Sequence, residues 1–316
     1  MEADDIDSLA VLGAGIMGSG IAQVFAQAGY DVWLYSRTEK TLSNALDNIA
    51  RNQETMINHG LLTSEAAEEA RWRIITTTDL VEAVDGVDLV SENLPEVLEL
   101  KQEIFKSLTE ISLPETLLTT DTSGLSITQI AENTARPGRI AGMHWWNPPH
   151  IVPLVEIVKG EETTDHTCQL LYTFLERLEK KPVVVKKDIP GFIGNRIQSA
   201  VVREVLNLLE EGAAEPEDID TVMKYGPGFR YPAIGPVLAM DLAGLDTVMY
   251  VSDYLFKDIS RASKPPKLLK KLVKEGKLGT KTMEGLYSYK EDTLRRIIKE
   301  RDEKFIRQLK DNEQEP

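Results

Sequence analysis

Two side chains suited to acid–base chemistry stand close together in the chain, each inside an apolar segment. His144 belongs to the stretch 142–149, and Glu156 belongs to the apolar run 153–158. A carboxylic acid in so apolar a run needs a partner. Beside a histidine, the carboxylate would fix the imidazole tautomer and stabilise the imidazolium, which makes the histidine a general base. The alternative is a core histidine bonded to a backbone carbonyl and a glutamate at a strand edge.

A glycine-rich hexapeptide near the N-terminus has the G-x-G-x-x-G spacing of a dinucleotide-binding turn. It follows a short apolar run at 9–12 and opens a helical pattern, and this context makes the motif informative. The first glycine permits the turn, the second lets the backbone approach a pyrophosphate, and the third lets helix and strand pack closely. Exposed amide groups and the helix dipole would then hold the phosphates. The motif residues are Gly13, Gly15, Ile16, Met17 and Gly18.

The choice of cofactor depends on the residues after the second apolar run, which ends at Tyr35. NAD-binding folds place there an acid that bonds the ribose 2′-hydroxyl. Ser36 occupies that place here, and Arg37 follows it. A small hydroxyl beside a guanidinium could accept the 2′-phosphate of NADP, or Arg37 could stack on adenine while NAD binds. NAD is the predicted cofactor, and NADP is possible because Ser36 and Arg37 replace the acid.

The elements that must position these residues follow from an alternation of short apolar runs with helical patterns in the first part of the chain. The pattern predicts an α/β fold, a Rossmann-type doubly wound, mostly parallel sheet at residues 1–187. An all-helical C-terminal domain is predicted at residues 188–316, with a strong amphipathic helix at 194–211. The densely charged tail from residue 291 is expected to be a solvated surface helix that frays.

Composition excludes several functional classes. The chain has 316 residues and a formal net charge of −15, a field that repels nucleic acid and acidic membranes. The single cysteine permits no intramolecular disulfide, and the four histidines show no zinc-ligand spacing, so no metal is predicted. No apolar run is long enough for a membrane span, and the acidic N-terminus lacks signal-peptide blocks. A cytoplasmic location is therefore expected.

Six ordered motifs together resemble the L-3-hydroxyacyl-CoA dehydrogenase family, from about residue 6 to 290. They are the stretches 13–18, 121–125, 144–149, 154–156, 190–196 and 279–287. The resemblance implies an NAD(P)-dependent oxidoreductase. In it, His144 is the catalytic base oriented by Glu156, and Ser123 and Asn195 donate hydrogen bonds to the reacting oxygen. From the residues alone, the alternatives are that Asn195 is a helix cap and that Ser123 is a turn residue.

The resemblance also implies contacts on the nicotinamide side of the cofactor. Asn147 would help to shape the pocket, and the stretch holding Glu92 and Lys101 would lie at the nicotinamide ribose. The pair Trp145–Trp146 is bulkier than the aromatic residues common in the family. These rings could narrow the substrate slot, although at least one is expected in the core.

The substrate implied by the resemblance is a short-chain L-3-hydroxyacyl-CoA, within fatty acid metabolism. The alternative is a free hydroxy acid or related alcohol of the gulonate, carnitine or pyridine-alcohol type. A CoA ester needs cations for its phosphate, and the helical region 40–73 offers a charged face that could equally be only solvated. Its cations are Lys40, Arg51, Arg71 and Arg73. The family resemblance also implies a homodimer through the C-terminal domain. A crystallin-like structural protein and a cofactor-sensing module are the remaining alternatives.

Overall fold

The computed structural model describes residues 1–313, and these form two compact units, residues 1–196 with the C-terminal segment from Asp302, and residues 197–301. The first unit contains one eight-stranded sheet in the order β3-β2-β1-β4-β5-β6-β7-β8. The strands are β1 (Ser8–Leu12), β2 (Asp31–Tyr35), β3 (Ile74–Thr77), β4 (Leu89–Glu92), β5 (Leu117–Thr120), β6 (Ile140–Trp145), β7 (Leu154–Val158) and β8 (Lys181–Val185).

All neighbouring strands are parallel except β6 and β7, which are antiparallel. The strand order reverses between β1 and β4, and in such sheets ligands bind outside the carboxyl ends of the strands at this point. The helices of this unit are α1 (Ile16–Gln27), α2 (Glu39–Asn58), α3 (Ser64–Trp72), α4 (Leu80–Val84), α5 (Leu98–Ile111), α6 (Ile127–Ile130) and α7 (Asp165–Arg177).

Both faces of the sheet are buried at its centre, as the predicted α/β class requires. Strands β4, β5 and β6 have no exposed residue, although each carries polar side chains among its apolar ones. Side-chain oxygens cap several helices at their N-termini, including Thr38 at α2 and Thr164 at α7. The structure confirms the predicted Rossmann-type sheet followed by helices.

The C-terminal part of the chain is helical. Its helices are α8 (Gly194–Glu211), α9 (Pro216–Tyr225), α10 (Pro227–Arg230), α11 (Pro236–Ala243), α12 (Leu245–Leu255), α13 (Lys267–Lys274) and α14 (Glu291–Glu313). The compact units divide between Arg196 and Ile197, later in the chain than the predicted boundary at 187/188. Phe192, which has no exposed surface, packs in the core of the first unit. The segment 188–196 therefore belongs to that unit.

The charged tail differs in part from the solvated, fraying helix expected. Within α14, Ile306 is only 1% exposed, and Lys310 Nζ donates to the backbone carbonyl of His59. Scattered apolar residues in a densely charged sequence are a weak signal, which is why this anchor was not predicted. Residues 314–316 lie outside the described residues. No helix within residues 1–313 is long and apolar enough to cross a membrane.

Candidate active site

The antiparallel pairing of β6 and β7 places His144 opposite Glu156. The imidazole Nδ1 lies 3.0 Å from Oε2 of Glu156, and the two residues are 4% and 2% exposed. An ionised carboxylate only accepts hydrogen bonds, so Nδ1 carries the proton and donates to Glu156. The second ring nitrogen, Nε2, is then an acceptor that can take a proton from a ligand.

Glu156 is held by backbone amides at the start of α8 as well as by His144. Its Oε1 accepts hydrogen bonds from the backbone amides of Ile193 and Gly194, each at 3.0 Å. Burial alone would raise the pKa of Glu156, but the bonds from His144, Gly194 and Ile193 outweigh it and hold that pKa below its ordinary value. The carboxylate therefore stays ionised and keeps the imidazole in one tautomer.

Aromatic rings enclose the imidazole. The ring centres of Trp146 and Phe192 lie 5.7 and 5.5 Å from that of His144. Gly194 leaves room for this arrangement, because a Cβ at residue 194 would lie 2.4 Å from Cζ2 of Trp146. Trp145, in contrast, is 2% exposed and packs edge-on against Phe25, so it belongs to the core.

Ser123 and Asn195 lie together although they are far apart in the chain. The side-chain amide of Asn195, in the first turn of α8, donates to the backbone carbonyl of Ser123 at 2.7 Å. The backbone amide of Ser123 donates to Oε1 of Glu96 at 2.9 Å, and Thr122 Oγ1 donates to the same oxygen at 2.6 Å. Ser123 is exposed and Asn195 is half-buried, so polar groups of these two residues can reach a ligand.

Glu92 and Lys101 form a buried ion pair. Nζ of Lys101 lies 2.7 Å from Oε1 of Glu92, and their side chains are 1% and 0% exposed. Thr120 Oγ1 and the amide of Leu94 also donate to Glu92. Direct contact of either side chain with a cofactor would require this pair to open. Glu96, in the same stretch, is 45% exposed, and its part in the site was not predicted from the sequence.

The glycine turn lies between β1 and α1, at the carboxyl end of β1. Gly13 has φ +104, and a Cβ there would lie 2.6 Å from the backbone oxygen of Asn93. A Cβ at Gly18 would lie 1.8 Å from the backbone oxygen of Gly13, whereas Gly15 has nothing within 4 Å. Packing therefore requires the outer two glycines, and the middle one faces open space into which a pyrophosphate fits. Ile16 is 71% exposed beside this space, and Met17 is partly buried against the core.

The residues after β2 lie at the same edge of the sheet. The amide of Gly13 donates to the carbonyl of Tyr35 at 2.9 Å, which brings Ser36 and Arg37 next to the turn. Arg37 is exposed, and so is Asn147 in the loop after β6. The structure thus places the predicted cofactor residues at the carboxyl ends of the strands, with the Glu92–Lys101 pair beneath the surface.

Asp121, in the motif 121–125, is a further acid that is largely withdrawn from solvent. It follows β5, and its Oδ1 accepts a hydrogen bond from the amide of Trp145 at 2.8 Å. Burial raises the pKa of Asp121 well above its ordinary value, against the lowering effect of this hydrogen bond. The acid thereby ties the end of β6, directly after His144, to β5. Within residues 1–313, no group of three or more His, Cys, Asp or Glu side chains could hold a metal ion.

Two family models match nearly the whole chain. Residues 8–189 match the model of the 3-hydroxyacyl-CoA dehydrogenase NAD binding domain, and residues 191–289 match that of the family's C-terminal domain. The chain is 33% identical to 5-formyl-3-hydroxy-2-methylpyridine 4-carboxylate 5-dehydrogenase of Mesorhizobium japonicum, over 95% of this chain and 96% of that protein. It is 37% identical to 3-hydroxybutyryl-CoA dehydrogenase of Clostridioides difficile, over 89% of this chain and 99% of that protein.

Among solved structures, an NAD⁺-dependent 5-formyl-3-hydroxy-2-methylpyridine 4-carboxylic acid 5-dehydrogenase superposes with a TM-score of 0.91 at 32% identity. That match covers 98% of this chain and 100% of the other. The predicted family, enzyme class and cofactor are confirmed. The chain belongs to the 3-hydroxyacyl-CoA dehydrogenase family and is an NAD-dependent dehydrogenase acting on hydroxyl groups.

Proposed function

We propose that this enzyme interconverts a short-chain L-3-hydroxyacyl-CoA and the corresponding 3-ketoacyl-CoA, with His144 as the general acid and base. The observation that carries the proposal is the buried His144–Glu156 pair, which leaves Nε2 of the imidazole free to exchange a proton. The relative from Clostridioides difficile, whose name gives this activity to that protein, supports the substrate class. A place in fatty acid metabolism follows from that substrate class.

In the oxidative direction, Nε2 of His144 takes the proton of the 3-hydroxyl group. NAD, when bound, supplies the acceptor for the hydride that leaves the same carbon. Glu156 stabilises the imidazolium that results, because the carboxylate stays ionised beside it. Ser123 and Asn195 would donate hydrogen bonds to the reacting oxygen and stabilise its partial charge. In the reductive direction His144 returns the proton to the ketone oxygen.

We propose that NAD lies over the turn at Gly15, with its adenosine end toward Ser36 and Arg37 and its nicotinamide toward Asn147. The space in front of Gly15 supports the position of the pyrophosphate. A direct contact with the ribose suits Glu96, while Glu92 and Lys101 act through their buried pair. The Arg37 guanidinium could pair with the 2′-phosphate of NADP, so we expect NADP to be used as well, at a lower rate than NAD.

A second candidate substrate is a free acid or alcohol without CoA. The Mesorhizobium japonicum relative, whose name denotes a pyridine carboxylate substrate, matches this chain over nearly its whole length. Three of the cations considered for a CoA phosphate are already engaged, since Arg51, Arg71 and Arg73 pair with Asn48, Gln53 and Asp31. Lys40 remains exposed on α2.

The test is an assay of the purified protein with acetoacetyl-CoA and NADH or NADPH. L-gulonate, carnitine and a pyridine carboxylate alcohol serve as alternative substrates with NAD. We expect turnover of the thioester with NADH, and a loss of about 100-fold or more in His144→Gln while NADH still binds. Turnover of a free alcohol without turnover of the thioester would establish the second candidate. Unchanged turnover in His144→Gln would exclude this histidine as the base.

We also propose that two copies of the chain associate through the second unit. Many large apolar side chains of this unit are exposed, among them Tyr225, Phe229, Leu242 and Met249. Burial of such surface against an identical one is the common solution in homodimers. The cytoplasmic location remains a prediction, consistent with the single free cysteine, Cys168.

A further inference from the structure

Lys180 directly precedes β8 and reaches behind the loop that joins β6 to β7. It is only 8% exposed, and its Nζ donates to the backbone carbonyls of Pro149 at 2.7 Å and Val152 at 3.3 Å. The ammonium also lies 5.5 Å from the centre of the Trp145 ring. Both carbonyls belong to the loop 146–153, so one buried side chain fixes the connection between the strand of His144 and the strand of Glu156.

The opposite side of this loop packs against α1. Pro149 lies so close to Gly20 of this helix that a Cβ at residue 20 would be 2.6 Å from Cγ of Pro149. Because α1 begins at the dinucleotide-binding turn, the loop is held between the cofactor helix and Lys180. The loop also carries Trp146 and Asn147. A shift of the loop would therefore change the distance between the acid–base pair and the cofactor.

Burial of the Lys180 ammonium costs free energy of hydration, so its presence here needs an explanation other than packing. A buried charge without an ionised partner loses much of its hydration, and burial lowers the pKa of Lys180 to about 8, with Glu179 opposing the shift. A methionine would fill the volume but would leave the carbonyls of Pro149 and Val152 without a donor. Only a charged or strongly donating group holds both.

We propose that Lys180 is a positioning residue for the dehydrogenase reaction, which holds the β6–β7 loop so that His144 and Asn147 keep a constant geometry toward the cofactor. The inference rests on the proposed function for its rate measurements. Lys180 acts through the loop between β6 and β7 and not by contact with the substrate or the cofactor.

Arg136 offers a matched control in the same unit. Its guanidinium also donates to backbone carbonyls, those of Thr109 and Ser112 at the end of α5. It precedes β6, at the end of that strand opposite to His144. Lys180→Met should lower kcat about tenfold, because small misplacements of reacting groups are expensive. Arg136→Met should stay within about twofold of the wild type, and Lys180→Arg should recover part of the loss since it keeps the donor and the charge.

The pH profile separates positioning from a merely structural role. In alcohol oxidation His144 must be neutral, so the decline of kcat above about pH 8 would report the loss of the Lys180 charge. The other ionisable groups lining the cavity beside Lys180 are His150, Arg177 and Glu179. We expect the decline in the wild type, its absence in Lys180→Met, and its displacement to higher pH in Lys180→Arg, whose guanidinium stays charged.

NADH affinity, measured by fluorescence titration, needs no substrate and keeps the inference testable if the proposed substrates fail. Lys180→Met should bind NADH at least about threefold more weakly, and Arg136→Met should bind it as the wild type does. Equal kcat and equal NADH affinity in Lys180→Met and the wild type would overturn the proposal, as would an equal loss in Arg136→Met. If Lys180→Met does not fold, identical pH profiles of the wild type and Lys180→Arg would overturn it. Absence of turnover in the wild type would count against the substrate alone.

Discussion

At the scale of single residues, His150 shows how strongly this environment selects a protonation state. It lies in the loop held by Lys180, and its buried Nδ1 has no hydrogen-bond partner within the described residues. Burial lowers the pKa of His150 to about 4, and the nearby charge of Lys180 adds to the effect. A protonated His150 would place a second cation beside that ammonium. The folded state therefore requires a neutral imidazole.

His150 should make the protein less stable in mild acid. The unfolded chain takes up a proton near pH 6.5 and the folded chain only near pH 4, so stability falls as the pH drops through this window. The loss is on the order of 3 kcal/mol. Urea unfolding at pH 7 and about pH 4.5 should show a smaller difference in unfolding free energy for His150→Gln than for the wild type. His166→Gln, at an exposed histidine, is the control and should retain the full difference. The same pH dependence in all three proteins would contradict this account.

The role of a residue could be predicted from the sequence where its side chain needs another side chain of a particular type as a partner. The pairing of His144 with Glu156 was predicted, because an acid in an apolar run needs a partner and the family resemblance favoured this one over a histidine bonded to the backbone. The roles of Lys180 and Glu96 could not be predicted, since their partners are backbone groups or residues that only the folded chain brings near. Lys101 was predicted as a cofactor contact, yet its ion pair lies beneath the surface.

At the scale of elements, the glycines in the turn between β1 and α1 have two different roles, packing of the turn and binding of the cofactor. Gly18 is required for contact between the helix and the turn, whereas Gly15 adopts φ −76, a value open to other residues, and faces open space. Two substitutions of the same size should therefore have opposite consequences.

Gly15→Ala should fold normally and bind cofactor poorly. Its Cβ meets no protein atom within 4 Å, so unfolding free energy should change by less than about 1 kcal/mol. The same Cβ would enter the space for the pyrophosphate and weaken NADH binding about tenfold or more. Gly18→Ala, the matched variant, should lose about 3 kcal/mol, because its Cβ would lie 1.8 Å from the oxygen of Gly13. Fluorescence titration and urea unfolding measure the two effects. Tight NADH binding by Gly15→Ala would exclude this position for the phosphates.

Strands that alternate with helices along the chain could be predicted from the sequence. Strand β7, which follows β6 without an intervening helix, could not. β7 joins β6 through a loop without a helix, so the rule that gives parallel strands does not apply. Its residues were noted as an apolar run rather than a strand. The antiparallel register of β7 nevertheless creates the pairing of His144 with Glu156, so the missing element was the one that positions the site.

At the scale of the whole molecule, the net charge favours separate molecules, whereas the exposed apolar surface favours association. The net charge of −15 keeps molecules apart at long range. The second unit nevertheless contains a helix, α11, with the almost wholly apolar sequence PVLAMDLA and no buried residue. A helix that is apolar on all sides is normally buried. Sequence composition could predict the charge, but the exposure of α11 is visible only once the fold of this unit is known.

We expect the protein to be a dimer of twice 35.3 kDa in solution. Leu242 in α11 and Met249 in α12 are 70% and 71% exposed, and a glutamate at either place would put a charge into the contact between the two copies. Leu242→Glu and Met249→Glu should shift the mass measured by light scattering toward that of one chain. Trp72→Glu, at a residue of the first unit that is 80% exposed, is the control and should leave the dimer intact. A wild-type protein with the mass of one chain at micromolar concentration would exclude the dimer. Dissociation of Trp72→Glu alone would move the contact to the first unit, because only a charge placed inside the interface separates the copies.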